Sequence, residues 1–324
     1  MPLSFRPAAR NDIPQMVDLL LHDAQQRHAQ NPHLWPIAAD ARTRIEAGIV
    51  LDNPQTVWLL AEISDRIVGI AHAMIVTPPP IYEIVAGNPG LFFDDCFVAD
   101  DAPPGTDEAL LAATETALRA AGAAGMIASS PAAGAMRPIY ERNGYEPVTL
   151  YMAKAGLSAR ELPATVRMAT ADDIPGLVAR SAEHRRMLSH LNDRFWYIHP
   201  QADARFEMWM RYSLTLKDRD MFVAGAPVHG YVIAQAIAPL LIPAAHDIKT
   251  IGVIDDFYDA DCADEGAIAN DGATAAALLS AAESALARRG YAAAFVVCPA
   301  AWTSKKALLE RLGFRTAKLW MLKR

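Results

Sequence analysis

Two hydrophobic periods alternate along this chain, and the alternation occurs twice. In residues 109–122 the run Ala109-Leu110-Leu111, Glu115, Ala117-Leu118 and Gly122 places apolar side chains at three- and four-residue spacing, the mark of a helix burying one stripe. Residues 277–290 repeat it with Ala277-Leu278-Leu279, Glu283, Ala285-Leu286 and Gly290, and each glycine stands where a left-handed residue ends a helix. Each helix follows a Gly-containing turn, Pro104-Gly105-Thr106 or Asp271-Gly272-Ala273-Thr274. Before each turn comes an apolar run broken by an acidic pair, Asp94-Asp95 or Asp255-Asp256. A strand, a small-residue turn and a helix start together present backbone amides to a phosphate.

In chain order the pattern predicts a strand over residues 3–7 and a helix from Asp12 to about residue 27, with Pro14 tolerated in its first turn. A loop over 31–36 and a second helix over 39–49 follow. Alternating runs at 57–62 and 67–73, joined at Ser64-Asp65, read as a hairpin. Residues 90–98 form a fourth strand, 107–121 the helix already described, and 125–129 a short buried strand of the kind a parallel partner explains. A helix over 136–143 and a closing strand over 146–153 complete the unit. This order predicts a mixed α/β sheet with an antiparallel front and a βαβ crossover behind.

The repeat covers nearly the whole chain. Arg6-Pro7-Ala8-Ala9-Arg10-Asn11-Asp12-Ile13-Pro14 is answered by Arg167-Met168-Ala169-Thr170-Ala171-Asp172-Asp173-Ile174-Pro175. His22, His28 and Trp35 are answered by His184, His190 and Trp196, and Tyr140-Glu141-Arg142-Asn143-Gly144-Tyr145 by Leu309-Glu310-Arg311-Leu312-Gly313-Phe314. Two tandem domains are therefore expected, residues 1–155 and 164–324, with extra residues in the second between Tyr258 and Ala269. Each is large enough to bury its own core.

Composition narrows the function. The net charge is −7 and no Lys/Arg cluster appears, so no nucleic-acid partner is expected. The longest apolar region, 228–245, is broken by Gly230, Gln235, Pro239 and Pro243, and the first residues run straight into a repeat element; no membrane segment or signal peptide is expected, and the reading is a cytoplasmic protein. Cys96, Cys262 and Cys298 have neither zinc nor redox spacing and read as small core residues. No metal site is expected.

Arg-x-Ala-x-x-x-Asp at the start, the hairpin from Ala61 to Gly69, the Ala-Leu-Leu turn-helix and Tyr140-Glu141-Arg142-Asn143-Gly144-Tyr145 together resemble the GCN5-related N-acetyltransferase (GNAT) family, over both copies. In architecture the chain also resembles tandem acetyltransferases of the mycothiol synthase type. The resemblance implies acetyl-coenzyme A as cosubstrate, bound beside the fourth strand at Phe97 and Val98, with its pyrophosphate on a turn of pattern Arg/Gln-x-x-Gly-x-Gly/Ala. In the first copy that turn carries Gly105 and Thr106, but Ala102 replaces the Arg/Gln, Pro103 and Pro104 lack donors, and Asp107 puts a carboxylate where an anion would sit. In the second it reads Asn270, Asp271, Gly272, Ala273, Thr274, Ala275, with all its amides retained. The coenzyme site is therefore expected in the second domain.

The resemblance also implies a tyrosine that protonates the leaving thiolate. Tyr140 occupies that place in the first copy and Leu309 in the second. For a base the acidic pairs offer Asp95 and Asp256, since adjacent strand residues face opposite ways and at most one of each pair enters the cleft. Trp35 and Trp196 either line an acceptor pocket or anchor their loops on the core. The expected activity is transfer of an acetyl group to a small-molecule amine. The alternative is a catalytically inactive chain that binds coenzyme A or a metabolite as sensor or scaffold. A homodimer is left open.

Overall fold

Local rules account for each element of the computed structural model, which describes residues 3–83 and 87–324. Ser64 and Asp65 take φ of 51° and 64°, the paired left-handed residues of a two-residue hairpin turn whose twist matches its strands. The repeated Arg-to-Asp motif proves to be a helix-entry clamp. Arg6 donates to both oxygens of Asp12 at 2.6 and 2.9 Å, and Arg167 to both oxygens of Asp173 at 2.6 Å, while each aspartate accepts the N–H three residues before it.

The first repeat runs β1 (Ser4–Pro7), α1 (Ile13–Gln30), α2 (Ala41–Gly48), β2 (Thr56–Ile63), β3 (Arg66–Ile75), β4 (Gly90–Phe92), β5 (Phe97–Val98), α3 (Thr106–Ala120), β6 (Met126–Pro131), α4 (Met136–Arg142) and β7 (Tyr145–Ala155). The second runs β8 (Val166–Met168), α5 (Ile174–Leu191), α6 (Ala202–Ser213), β9 (Arg219–Ala224), β10 (Gly230–Ala236), β11 (Ile251–Asp259), α7 (Ala273–Arg288), β12 (Ala293–Pro299), α8 (Thr303–Arg311) and β13 (Arg315–Lys323). β4 pairs in parallel with β6, and β11 with β12, around the α3 and α7 crossovers. Among the described residues no helix is long and apolar enough to cross a membrane.

All the strands join one sheet, and the two closing strands are exchanged. The order is β1-β2-β3-β4-β6-β13-β7-β12-β11-β10-β9-β8, with β5 on β3 alone. β7 of the first repeat lies against β12 of the second, from Ala155 opposite Ala293 to Thr149 opposite Pro299. β13 of the second lies against β6 of the first, from Lys318 opposite Pro131 to Leu322 opposite Ile127. Residues 1–155 and 164–324 therefore each build all but the last strand of one half and complete the other. Loops are exchanged in the same sense: Ile37 bridges His246, and Tyr82 bridges Ile198.

The exchange carries one buried charge across the repeats. Lys318 Nζ on β13 lies 2.6 Å from Asp94 Oδ2, with both side chains almost fully buried, and donates to Leu241 O at 2.7 Å. Burial pushes this ammonium pKa down, and Asp94 opposes the shift. Removing one partner of a buried pair strands the other charge. Lys318→Met should lower unfolding stability by about 3 kcal/mol, and Asp94→Asn in the same chain should restore most of it. Urea denaturation reads both, and a single variant as stable as the parent would refute the ion pair.

Candidate active site

The site begins where a strand breaks. The sequence pattern predicts one strand over 90–98 with only one acid of Asp94-Asp95 facing inward; instead β4 stops at Phe92, Asp94-Asp95 forms a turn, and β5 resumes on β3 alone. β4 stays bonded to β6, but Ser129, Ser130 and Pro131 of β6 pair only with β13, so β5 and the end of β6 part. Two cavities open there, of about 350 and 740 Å³, and both are lined by Asp23, Phe93, Asp94 and Ser129. Because a turn replaces the strand, both Asp94 and Asp95 line the larger one.

The smaller cavity runs from Phe97 and Val98 past Gly105 and Asp107 to the start of α4 at Ala133, Gly134 and Met136. Gly105 holds φ of 83°, and a Cβ there would meet nothing within 4 Å. Among the described residues the Gly105 and Asp107 N–H groups have no backbone acceptor. Asp107 Oδ1 accepts from the Glu108 N–H at 2.8 Å and so caps its own helix. Thr106 turns its hydroxyl to Pro103 O at 2.7 Å. Tyr140 is fully buried on the cavity wall, and its hydroxyl has no hydrogen-bond partner among the described residues. Burial pushes this phenol well above its ordinary pKa, so it keeps its proton.

The larger cavity holds the acids and a stack of rings. Trp58 lies on His72 at 3.8 Å between centroids and 7° between planes, and Phe93 covers the other side at 4.4 Å. His72 Nδ1 is 3.0 Å from Asp95 Oδ1. Burial alone would raise the Asp95 carboxyl, but the charge and hydrogen bond of His72 and the charge of Arg27 bring it below the usual carboxylate range. Asp23, from α1, accepts from Arg27 Nη2 at 2.5 Å and is pushed up to about 6 by burial, reinforced by Asp95 and Asp94 and opposed by Arg27. Arg27 also donates to the backbone carbonyl of Asp94. The second repeat forms the far wall with residues 239–246, Lys318 and Trp320.

The second repeat keeps the fold, and side chains fill the region beside the turn at which the coenzyme site was expected. Trp302 stands where the first repeat has Ala133; it is fully buried and donates from Nε1 to Cys262 O at 3.1 Å. Lys305 stands where Met136 is, fully buried, with Nζ donating to Phe257 O on β11 at 2.8 Å. The extra segment is sewn to the start of α8: Ser304 N and Thr303 Oγ1 donate to Glu265 O at 2.9 and 2.8 Å, and Ser304 Oγ donates to Asp264 O at 2.7 Å. Thus strand edge and helix start, which a ligand would have to reach, already bond to the chain itself.

The turn itself is built differently from a phosphate cradle. Asn270, Asp271 and Gly272 hold φ of 49°, 53° and 65° in succession. Asn270 Nδ2 donates to Asp261, Asp271 points outward to Arg311, and the Ala273 N–H is taken by Asn270 O. Thr274 follows in α7 and Ala275 is buried in its base. The left-handed φ of Gly272 would strain any other side chain there, and a Cβ would also crowd the end of the Ile268 side chain at 2.6 Å. Asp256 meets His184 Nδ1 at 3.1 Å and Tyr231 Oη at 2.9 Å, beneath Trp302 and Tyr258. Burial alone would raise its carboxyl, but these donors hold it low. This half-buried acid is thus held by a histidine and a tyrosine, and Leu309 fills the place of Tyr140.

Trp35 anchors its loop rather than lining the cavity: it is buried against His246 and Phe295, at 5.4 and 6.2 Å between ring centroids. Asp23 was not among the acids that the sequence pattern singles out. Its signal was Asp23 and Arg27, a charged pair one turn apart beside the core-facing Met16, Leu20 and Ala24. Its counterpart in the second repeat, next to His184, is Arg185, which bonds Ser181 and Asp203.

No protein-family model and no curated protein matches the sequence, whereas solved structures match it along its length. A GCN5-related N-acetyltransferase from Sphaerobacter thermophilus superposes with a TM-score of 0.56 at 17% identity, over 99% of this chain and 95% of that one. A GNAT-family acetyltransferase from Colwellia psychrerythraea does so with a TM-score of 0.50 at 8% identity, over 100% and 99%. The GCN5-related glucosamine N-acetyltransferase region of a fungal multi-domain β-N-acetylglucosaminidase gives 0.55 at 14%, over 100% of this chain and 38% of that one. At these identities the likeness establishes the fold alone, that of the GNAT proteins, and the element order shows it twice along this chain.

Proposed function

We propose that this GNAT-fold chain is an acyltransferase with one working cleft, in its first repeat, that moves an acyl group, acetyl in the simplest case, from coenzyme A to a small-molecule amine. The observation that carries this reading is the meeting of two cavities at Asp23 and Asp94, with the unpartnered Tyr140 hydroxyl on the wall of one. The smaller cavity suits the thioester arm, with the free Gly105 and Asp107 amides at its mouth, and the larger suits an acceptor.

The roles follow from proton accounting. An ammonium gives its proton to Asp23, whose raised pKa makes it a competent base near neutrality. The freed nitrogen bonds to the acyl carbon as the carbon–sulfur bond breaks, and Tyr140 Oη–H supplies the proton that the leaving thiolate takes. The second proton of the now cationic nitrogen returns through solvent to the Tyr140 oxygen, leaving a neutral amide, a free thiol and protonated Asp23, which gives its proton to water. Asp95 holds His72 in the ring stack and keeps negative charge near a cationic acceptor. Asp256 has no part in this chemistry. With Trp58 and Phe93 as walls and the indole N–H groups of Trp58 and Trp320 buried without partners among the described residues, the acceptor is an amine with a flat or apolar body that also carries hydrogen-bond acceptors.

Calorimetric titration of acetyl-coenzyme A into the purified chain should give one site per chain. Two sites would contradict the filled second cleft, and no binding at millimolar ligand would end the acyltransferase reading. Asp107, whose carboxylate sits at the helix start, favours a second reading in which the cleft binds without transfer. Thiol release against an amine panel separates the two.

A further inference from the structure

We propose that His229, Asp259 and Asp261 form a site for a divalent transition-metal cation, zinc or manganese, that fastens the extra segment of the second repeat to the sheet. His229 precedes β10, Asp259 ends β11, and Asp261 lies two residues beyond that strand end, in the extra segment. Their ligand atoms all lie within 4.8 Å of one another. His229 Nε2 is 3.2 Å from Asp261 Oδ1 and 3.9 Å from Asp259 Oδ1.

Unmet polarity is the independent observation. Asp259 is completely buried and Asp261 nearly so, yet Oδ2 of each has no hydrogen-bond partner among the described residues. Buried carboxylate oxygens without donors need a proton or a cation. The other oxygens are oriented as in an outer ligand shell: Asp261 N–H donates to Asp259 Oδ1 at 3.0 Å, and Asn270 Nδ2 to Asp261 Oδ1 at 3.0 Å. One imidazole nitrogen with two carboxylate oxygens suits zinc or manganese and leaves a fourth position for water; calcium and magnesium favour all-oxygen sets. His229, with 43% of its side chain exposed, gives an entry path.

The trio belongs to the second repeat alone. Gly230 pairs with Asp259 as Gly69 pairs with Val98, so the first repeat carries Val68, Val98 and Asp100 at these positions. Gly230 also makes room, since a Cβ there would lie 2.3 Å from Asp259 Oδ2. Through Asp261 the cation would pin the same segment whose Cys262 and Glu265 carbonyls bond α8 across the filled cleft.

The test uses the untagged full chain, stripped with chelator and dialysed, then titrated with zinc or manganese chloride and assayed for bound metal. The expected result is one metal ion per chain and a Tm rise of about 5 °C at a hundredfold excess over Kd. Amide exchange over residues 260–269 should slow in the same samples. His229→Gln and Asp259→Asn should each weaken binding at least about 100-fold, and Asn270→Ala about 10-fold. Absence of stoichiometric metal, or unchanged affinity in both ligand variants, would overturn the site. So would an Asp259→Asn chain more stable than a metal-insensitive parent, since the carboxyl pair would then be holding a proton.

Discussion

Ala133→Trp should abolish coenzyme binding and leave the fold intact. The substitution copies into the first repeat the residue that closes the second, where Trp302 lies fully buried between α8 and the extra segment. Ala133 lines a cavity of about 350 Å³ and is itself exposed, so an indole can enter the cavity without displacing core side chains. We expect affinity for acetyl-coenzyme A to fall by about a thousandfold or more, which corresponds to about 4 kcal/mol. The urea midpoint and circular dichroism should stay near those of the parent. Ala133→Ser, which leaves the cavity open, should bind normally. If the Trp variant folds and binds as before, the coenzyme lies elsewhere.

Asp23→Asn should cost about 100- to 10,000-fold in kcat/KM, the range for a positioned general base. The parent rate should climb as pH rises through about 6 and then level, because only the ionised carboxylate accepts a proton. In the Asn variant that limb should vanish, which a merely structural residue would not produce. The same raised value has a stability consequence of defined sign. The folded chain holds this proton more tightly than the unfolded one, so the carboxyl's contribution is complete below the ordinary value of 3.8 and is lost as pH passes about 6. A variant within threefold of the parent, or one that keeps the limb, would move the base to the Asp95 and His72 pair.

The contrast between the repeats shows why one works in this reading. By residue type the 270–275 turn is the better binder, with small residues and no proline. Its cleft is closed by side chains far away in sequence: Trp302, Lys305 and the carbonyls of 262–265. The 102–107 turn is the poorer by residue type, yet it borders open space. A binding turn needs a vacancy beside it as much as free amides, and residues of its own neighbourhood do not reveal that vacancy.

Sequence by itself determined what depends on neighbours along the chain. Apolar spacing gave the helices and strands to within a few residues, Ser64-Asp65 the hairpin, Arg6 with Asp12 and Arg167 with Asp173 the helix entries, and internal likeness the two copies. The position of Tyr140 at the head of a repeated motif was legible because that motif is local. What only the tertiary structure decided depends on contacts between distant segments. The exchange of β7 and β13 cannot be read from their patterns, since a strand's alternation fixes which face is buried and not which partner lies alongside. From that exchange come the burial of Lys318 against Asp94 and the wall of Trp320. The break at Asp94-Asp95, which turns both acids into the cavity, and the burial that raises Asp23 have the same origin. Each is set by free energies of desolvation and packing that arise only when remote parts of the chain close around a residue.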